Sequence, residues 1–269
     1  GPYRWRLLDH APFHLRYKMT ANHSGSPPWL SGQTGGWLSD HASPSALCSV
    51  GDKVFVGASI AESGHTILAA DLDGRKLWGT KWLNLAGAGA LATDGTRVFV
   101  GSEGGWIKAK LQVNVVDPQT YAFHNILEEN FGDNKNLPGL SGIAVAGGRL
   151  YVALRKPGVV RVYSLPAEKG GKAQKLGEFP VSDPRGMVAD KQGRIWICTD
   201  QGILRTTTPD GPAAAVLRSG LVNPRGLCFD ESGNVVVADG APAHQVKVFM
   251  PSGVLIRTIG KPGGRRVGP

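Results

Sequence analysis

Five copies of one pattern constrain this chain more than any other feature. They read PSALCSVGDKVFVGAS from Pro44, GAGALATDGTRVFVGSE from Gly87, LSGIAVAGGRLYVALR from Leu140, PRGMVADKQGRIWICTD from Pro184 and PRGLCFDESGNVVVADG from Pro224. Each places a small residue ahead of an aliphatic segment, then a polar turn with glycine, then a bulky strand core. With Ala46, Ala90, Gly142, Gly186 and Gly226 as equivalent anchors, the steps are 44, 52, 44 and 40 residues. A strand-built period of this length signals an array of blades.

Further strands complete each unit. Third segments such as TILAAD from Thr66, LQVNVVD from Leu111, VVRVYSL from Val159 and QVKVF from Gln245 alternate or are β-branched. The turns DLDG, DPQT, TPDG and MPSG follow, with the Asp, Pro and Gly that β-turns require, before a fourth strand such as VLIRTIG. Four antiparallel strands per repeat make a β-propeller blade. The expected fold is therefore an all-β propeller with five clear blades over residues 44–262. Only YAFHNILEENF, from Tyr121, could form a helical turn, and an outer strand explains it as well.

Residues 1–43 lie outside the repeat and hold two strand-like stretches, YRWRLL and FHLRYKM, then a loop rich in Gly, Ser, Pro and Trp. An open ring exposes an apolar inner face and an unpaired edge. The N-terminal strands are thus expected to complete a six-bladed ring, the alternative being a last blade that this chain does not supply. Residues 263–269 read as an inter-blade linker or tail.

Hydrophobic residues at 41% and charged residues at 19% exclude a disordered chain, and no apolar run is long enough for a membrane helix. The net charge of +9 favours anionic partners, although it is diffuse: no basic run is longer than a pair such as Arg265-Arg266. The three cysteines, Cys48, Cys198 and Cys228, sit in apolar segments without disulfide or zinc spacing and read as small buried hydrophobes.

The segments from Pro184 and Asn223 resemble NHL repeats, with Pro-x-Gly, an aliphatic strand ending in Asp, a Gly-Arg or Gly-Asn turn and a second strand ending in Asp. The resemblance is strongest over residues 183–260 and in phase for 44–182. It implies a propeller that serves as a binding module; some NHL propellers bind RNA, which makes RNA binding a second alternative here. Gluconolactonase-like propellers carry metal-ligating Asp or Asn where Arg185 and Arg225 stand, so a cation there would be repelled. Amidating lyases with NHL-like propellers hold zinc with histidines, whereas the seven histidines here are scattered.

Residues just before each anchor approach one mouth of the central channel, where ligands bind propellers. Arg185 and Arg225 could grip a carboxylate, sulfate or phosphate there, with Ser45, Ser141 and, for stacking on a sugar, Trp106 completing a ligand-binding set. The competing reading is that each arginine braces a neighbouring blade. His41, Glu62 and His65, with Asp40, supply N and O ligands for a divalent metal and define the alternative of a metal-dependent hydrolase or lyase. The expectation is a non-catalytic, extracytoplasmic module without a cofactor, recognising an anionic or carbohydrate ligand or a protein.

Overall fold

The computed structural model describes residues 43–59, 67–73, 75–80, 88–104 and 108–264. They form five four-stranded antiparallel sheets in strict chain order. Blade one holds β1 (Ser43–Val50), β2 (Lys53–Ser59), β3 (Ile67–Asp71) and β4 (Lys76–Thr80); blade two holds β5 (Ala90–Thr93), β6 (Val98–Gly104), β7 (Lys108–Val116) and β8 (Phe123–Asp133). Blade three follows with β9 (Leu140–Ala146), β10 (Arg149–Leu154), β11 (Val159–Ser164) and β12 (Gln174–Pro180). Blade four comprises β13 (Met187–Ala189), β14 (Ile195–Thr199), β15 (Gly202–Thr206) and β16 (Ala213–Leu217), and blade five β17 (Pro224–Phe229), β18 (Val235–Asp239), β19 (Gln245–Phe249) and β20 (Leu255–Ile259). The stretch from Tyr121 is the outer strand β8, not a helical turn. The expected sixth blade falls on residues outside those described.

The core of the described residues consists of four clusters, one at each junction between successive blades. Phe55, Ile67 and Ala69 meet Val98, Val100 and Val116 between blades one and two. Phe99, Leu111 and Val113 meet Leu150, Val152 and Tyr163 at the next junction. Tyr151, Val160 and Phe179 then face Ile195 and Ile197, and Trp196, Cys198 and Ile203 face Val235, Val237 and Phe249. The second strands of blades two to four, with their period of two, thus serve two junctions each. Burial of one such aliphatic or aromatic side chain is worth about 1.5–3 kcal/mol, so the blades hold one another rather than standing alone.

The cysteines divide. Cys198 is buried and Cys48 half-buried, as apolar thiols should be, but Cys228 is exposed because its face of blade five packs on no described blade. Burial pushes the Cys198 thiol up to about 12, so it stays protonated.

The turn between the first two strands of a blade repeats one device. Asp190 accepts from the Arg194 amide at 2.9 Å and guanidinium at 2.7 Å, and from Trp196 Nε1 at 2.9 Å. Asp230 binds the Asn234 amide and side chain in the same way, and Asp94 binds Thr96 and Arg97. Burial alone would raise these three carboxyls, yet the hydrogen bonds outweigh it and hold them below the ordinary carboxylate value. A group depressed in the folded state stabilises above its unfolded pKa, and that contribution disappears as pH falls through the folded value. Unfolding midpoints followed from neutral pH downward should therefore stay level and then fall below about pH 4. A midpoint unchanged down to about pH 2 would contradict this assignment.

Candidate functional site

The loops from each outer strand to the next inner strand, and those between second and third strands, share one face of the array. Here the residue before three of the five anchors reaches across to the next blade. Ser45 Oγ donates to the Ala88 carbonyl, Ser141 Oγ to the Pro184 carbonyl at 2.6 Å, and Arg185 Nη1 to the Pro224 carbonyl at 2.9 Å. The acceptor is each time two residues before the following anchor, so these side chains are inter-blade stitches. Gly89 has no side chain for this purpose. At the junction of blades two and three Glu103 instead accepts from the amides of Gly139 and Leu140 at 2.9 and 2.8 Å.

Arg185 is committed further. Its Nε and Nη2 bind Asp183 Oδ2 at 2.8 and 2.7 Å, and its Nη1 also reaches Asn223 Oδ1 at 2.8 Å. On the other carboxylate oxygen Asp183 accepts from Arg155 Nε and Nη2 at 2.8 and 2.7 Å. Burial alone would raise the Asp183 carboxyl, but the bonds and charges of Arg155 and Arg185 prevail and hold it below its ordinary value. Asp183 has φ +45°, a left-handed conformation that costs a non-glycine residue about 1–3 kcal/mol and persists where surrounding contacts enforce it. Two arginines on one carboxylate are such an enforcement.

Arg225 stands in the same position one blade on, with a different neighbour. Two residues before Arg185 lies Asp183; two residues before Arg225 lies Asn223. Asn223 turns its oxygen to Arg185 and its Nδ2 to the Ala241 carbonyl at 2.9 Å. Arg225 is exposed, packs its stem close to Gly240, and its guanidinium makes no hydrogen bond or ion pair with any described residue. The Nε–Nη2 edge that Asp183 fills on Arg185 has no carboxylate among the described residues to fill it on Arg225. In the corresponding loop of blade three Arg155 is exposed but paired with Asp183, and Lys156 is exposed; in that of blade four Asp200 is exposed. Asp239 ties down the loop before β17, accepting from the amides of Val222 and Asn223 at 3.0 and 2.6 Å and from Lys247 at 2.7 Å.

Of the predicted residues that the structure describes, Arg185, Ser45 and Ser141 bond to the next blade, and Arg225 has no hydrogen bond or ion pair to a described residue. Trp106, His41, Glu62, His65 and Asp40 lie outside the described residues. No group of three or more metal-binding side chains occurs among the described residues, and no described helix is long and apolar enough to cross a membrane. Sequence reasoning missed Arg155, Asp183, Asn223 and Asp239. The contrast between Asp183-Pro-Arg and Asn223-Pro-Arg was its one visible signal.

The family model for the NHL repeat matches residues 221–249. No curated protein matches. Among solved structures, the chain is similar to a protein of unknown function from Bacteroides caccae, at 12% identity and a TM-score of 0.61, covering 82% of this chain and 83% of that one. It is similar to a protein of unknown function from Bacteroides thetaiotaomicron VPI-5482, at 16% identity and a TM-score of 0.61, covering 81% of this chain but 58% of that one. A chain of a nidogen/laminin complex is similar at 16% identity, with a TM-score of 0.52 and 75% of each chain covered. At such identities the likeness speaks to the fold alone.

Proposed function

We propose that this NHL-repeat-like β-propeller is a non-catalytic binding module that takes an anionic group, a carboxylate or sulfate of an acidic glycan, on Arg225. The supporting observation is the exchange of Asp183 for Asn223: it leaves Arg225 with a bidentate donor edge and no described carboxylate of the chain to fill it. A guanidinium matches such groups in fork geometry, and the pairing is stronger than a neutral hydrogen bond. The net charge of +9 favours approach of an anion. The reading takes the ring as six-bladed, with residues 3–42 supplying the blade beyond the five described.

The test is calorimetric titration with a heparin-derived oligosaccharide, which carries both groups. Arg225→Ala should weaken binding by about 10- to 100-fold, the equivalent of about 1.5–3 kcal/mol for a hydrogen bond to a charged group. An affinity equal to the unsubstituted protein's removes the proposal.

A further inference from the structure

Blade five is finished on one side only. Leu227, Phe229, Val235, Val237 and Phe249 pack toward blade four. By register, Cys228, Val236, Ala238, Val246, Val248 and Ile259 share the opposite face, and of these Val248 alone is buried. In blades three and four, by contrast, β14 is buried along its whole length and β10 along all but its first residue. The anchor glycines make the same distinction. A Cβ on Gly142 would lie 2.5 Å from the Arg185 oxygen, and one on Gly186 would lie 2.7 Å from the Arg225 oxygen, so the next inner strand excludes any side chain there. A Cβ on Gly226 would meet nothing within 4 Å. Glycine inside a strand carries an entropic cost and marks a place where another backbone comes close.

The chain holds a segment long enough to supply a blade. Residues 1–42, ahead of β1, exceed the shortest repeat step of 40. Tyr3, Trp5 and Leu7 alternate with Arg4 and Arg6, and Phe13, Leu15, Tyr17 and Met19 alternate with His14, Arg16 and Lys18. This is the period of half-buried strands. The segment runs directly into β1, where Leu47 is 65% exposed on the face turned away from blade two.

We infer that residues 3–19 dock on the open face of blade five, bringing a strand against Gly226 and an apolar row over Cys228, Val236 and Val246. The inference rests on the six-bladed reading and adds the face that is covered and the side chains that cover it.

The full-length protein tests it by site-resolved thiol labelling, with buried Cys198 as the reporter of global unfolding, and by thermal midpoints. Cys228 should label many-fold more slowly than in urea-unfolded protein, and Gly226→Ala should lower the midpoint as Gly186→Ala does. Leu15→Asp, and more mildly Leu15→Ala, should speed labelling of Cys228 while Cys198 stays protected. If Cys228 labels at the unfolded rate, or Gly226→Ala leaves the midpoint unchanged, both the inference and the six-bladed reading fall. If Cys228 is protected and both Leu15 variants leave that protection intact, another element covers the face and the inference alone falls.

Discussion

Replacing Asp239 by alanine is expected to cost about 3–5 kcal/mol, a large fraction of the roughly 5–15 kcal/mol by which folded proteins are stable. The Asp239 side chain is fully buried and that of Lys247 only 11% exposed, with 2.7 Å between their charges. The same carboxylate satisfies the amides of Val222 and Asn223. Removing it strands a desolvated ammonium, which keeps only the Gly220 carbonyl at 2.6 Å, and two amides at the root of the loop that carries Arg225. Burial by itself would raise the Asp239 carboxyl; the bonds from Lys247, Asn223 and Val222 reverse this and hold it low, so the charged form belongs to the fold. Urea unfolding of the alanine variant measures the loss, and a change below about 1 kcal/mol would show the pair to be dispensable.

The second large effect is expected at Gly186. A Cβ there would approach the Arg225 oxygen to 2.7 Å and the Gly226 Cα to 2.8 Å. The backbone has no room to retreat: the Gly186 amide donates to the Arg225 carbonyl at 3.0 Å, while its carbonyl accepts from the Cys198 amide at 2.9 Å. Gly186→Ala should destabilise by about 1–3 kcal/mol, and Gly186→Val by more. Gly177 is the control, since a Cβ there meets nothing within 4 Å and its alanine variant should be neutral or slightly stabilising. Equal unfolding midpoints for the Gly177 and Gly186 variants would contradict the close approach of the inner strands.

These two cases separate what is legible in the sequence from what is not. The blades are legible because turn chemistry and period-two alternation are local, whereas the close approach at Gly142 and Gly186 is not, since Gly226 occupies the same place in its repeat and meets nothing within 4 Å. Nor are the roles of the mouth residues. Whether Arg185 braces or binds depends on Asp183 and Asn223 arriving from two different loops, and on the Pro224 carbonyl 39 residues away. Cys228 was read as core for a related reason: its apolar neighbours Leu227 and Phe229 pack into the blade-four junction, but its own side chain points to the opposite face. Alternation tells which residues share a face and leaves open what lies against it.

The proposed function turns on the single difference between Asp183 and Asn223. Asn223→Asp would set a carboxylate two residues before Arg225, as Asp183 stands before Arg185, with nearly the same side-chain volume. Titration of this variant with the heparin-derived oligosaccharide is the most direct measurement. The predicted result is a loss of affinity comparable to that of Arg225→Ala, with an unchanged circular dichroism spectrum. Undiminished binding by both the Asn223→Asp and the Arg225→Ala variants would contradict anion recognition at Arg225.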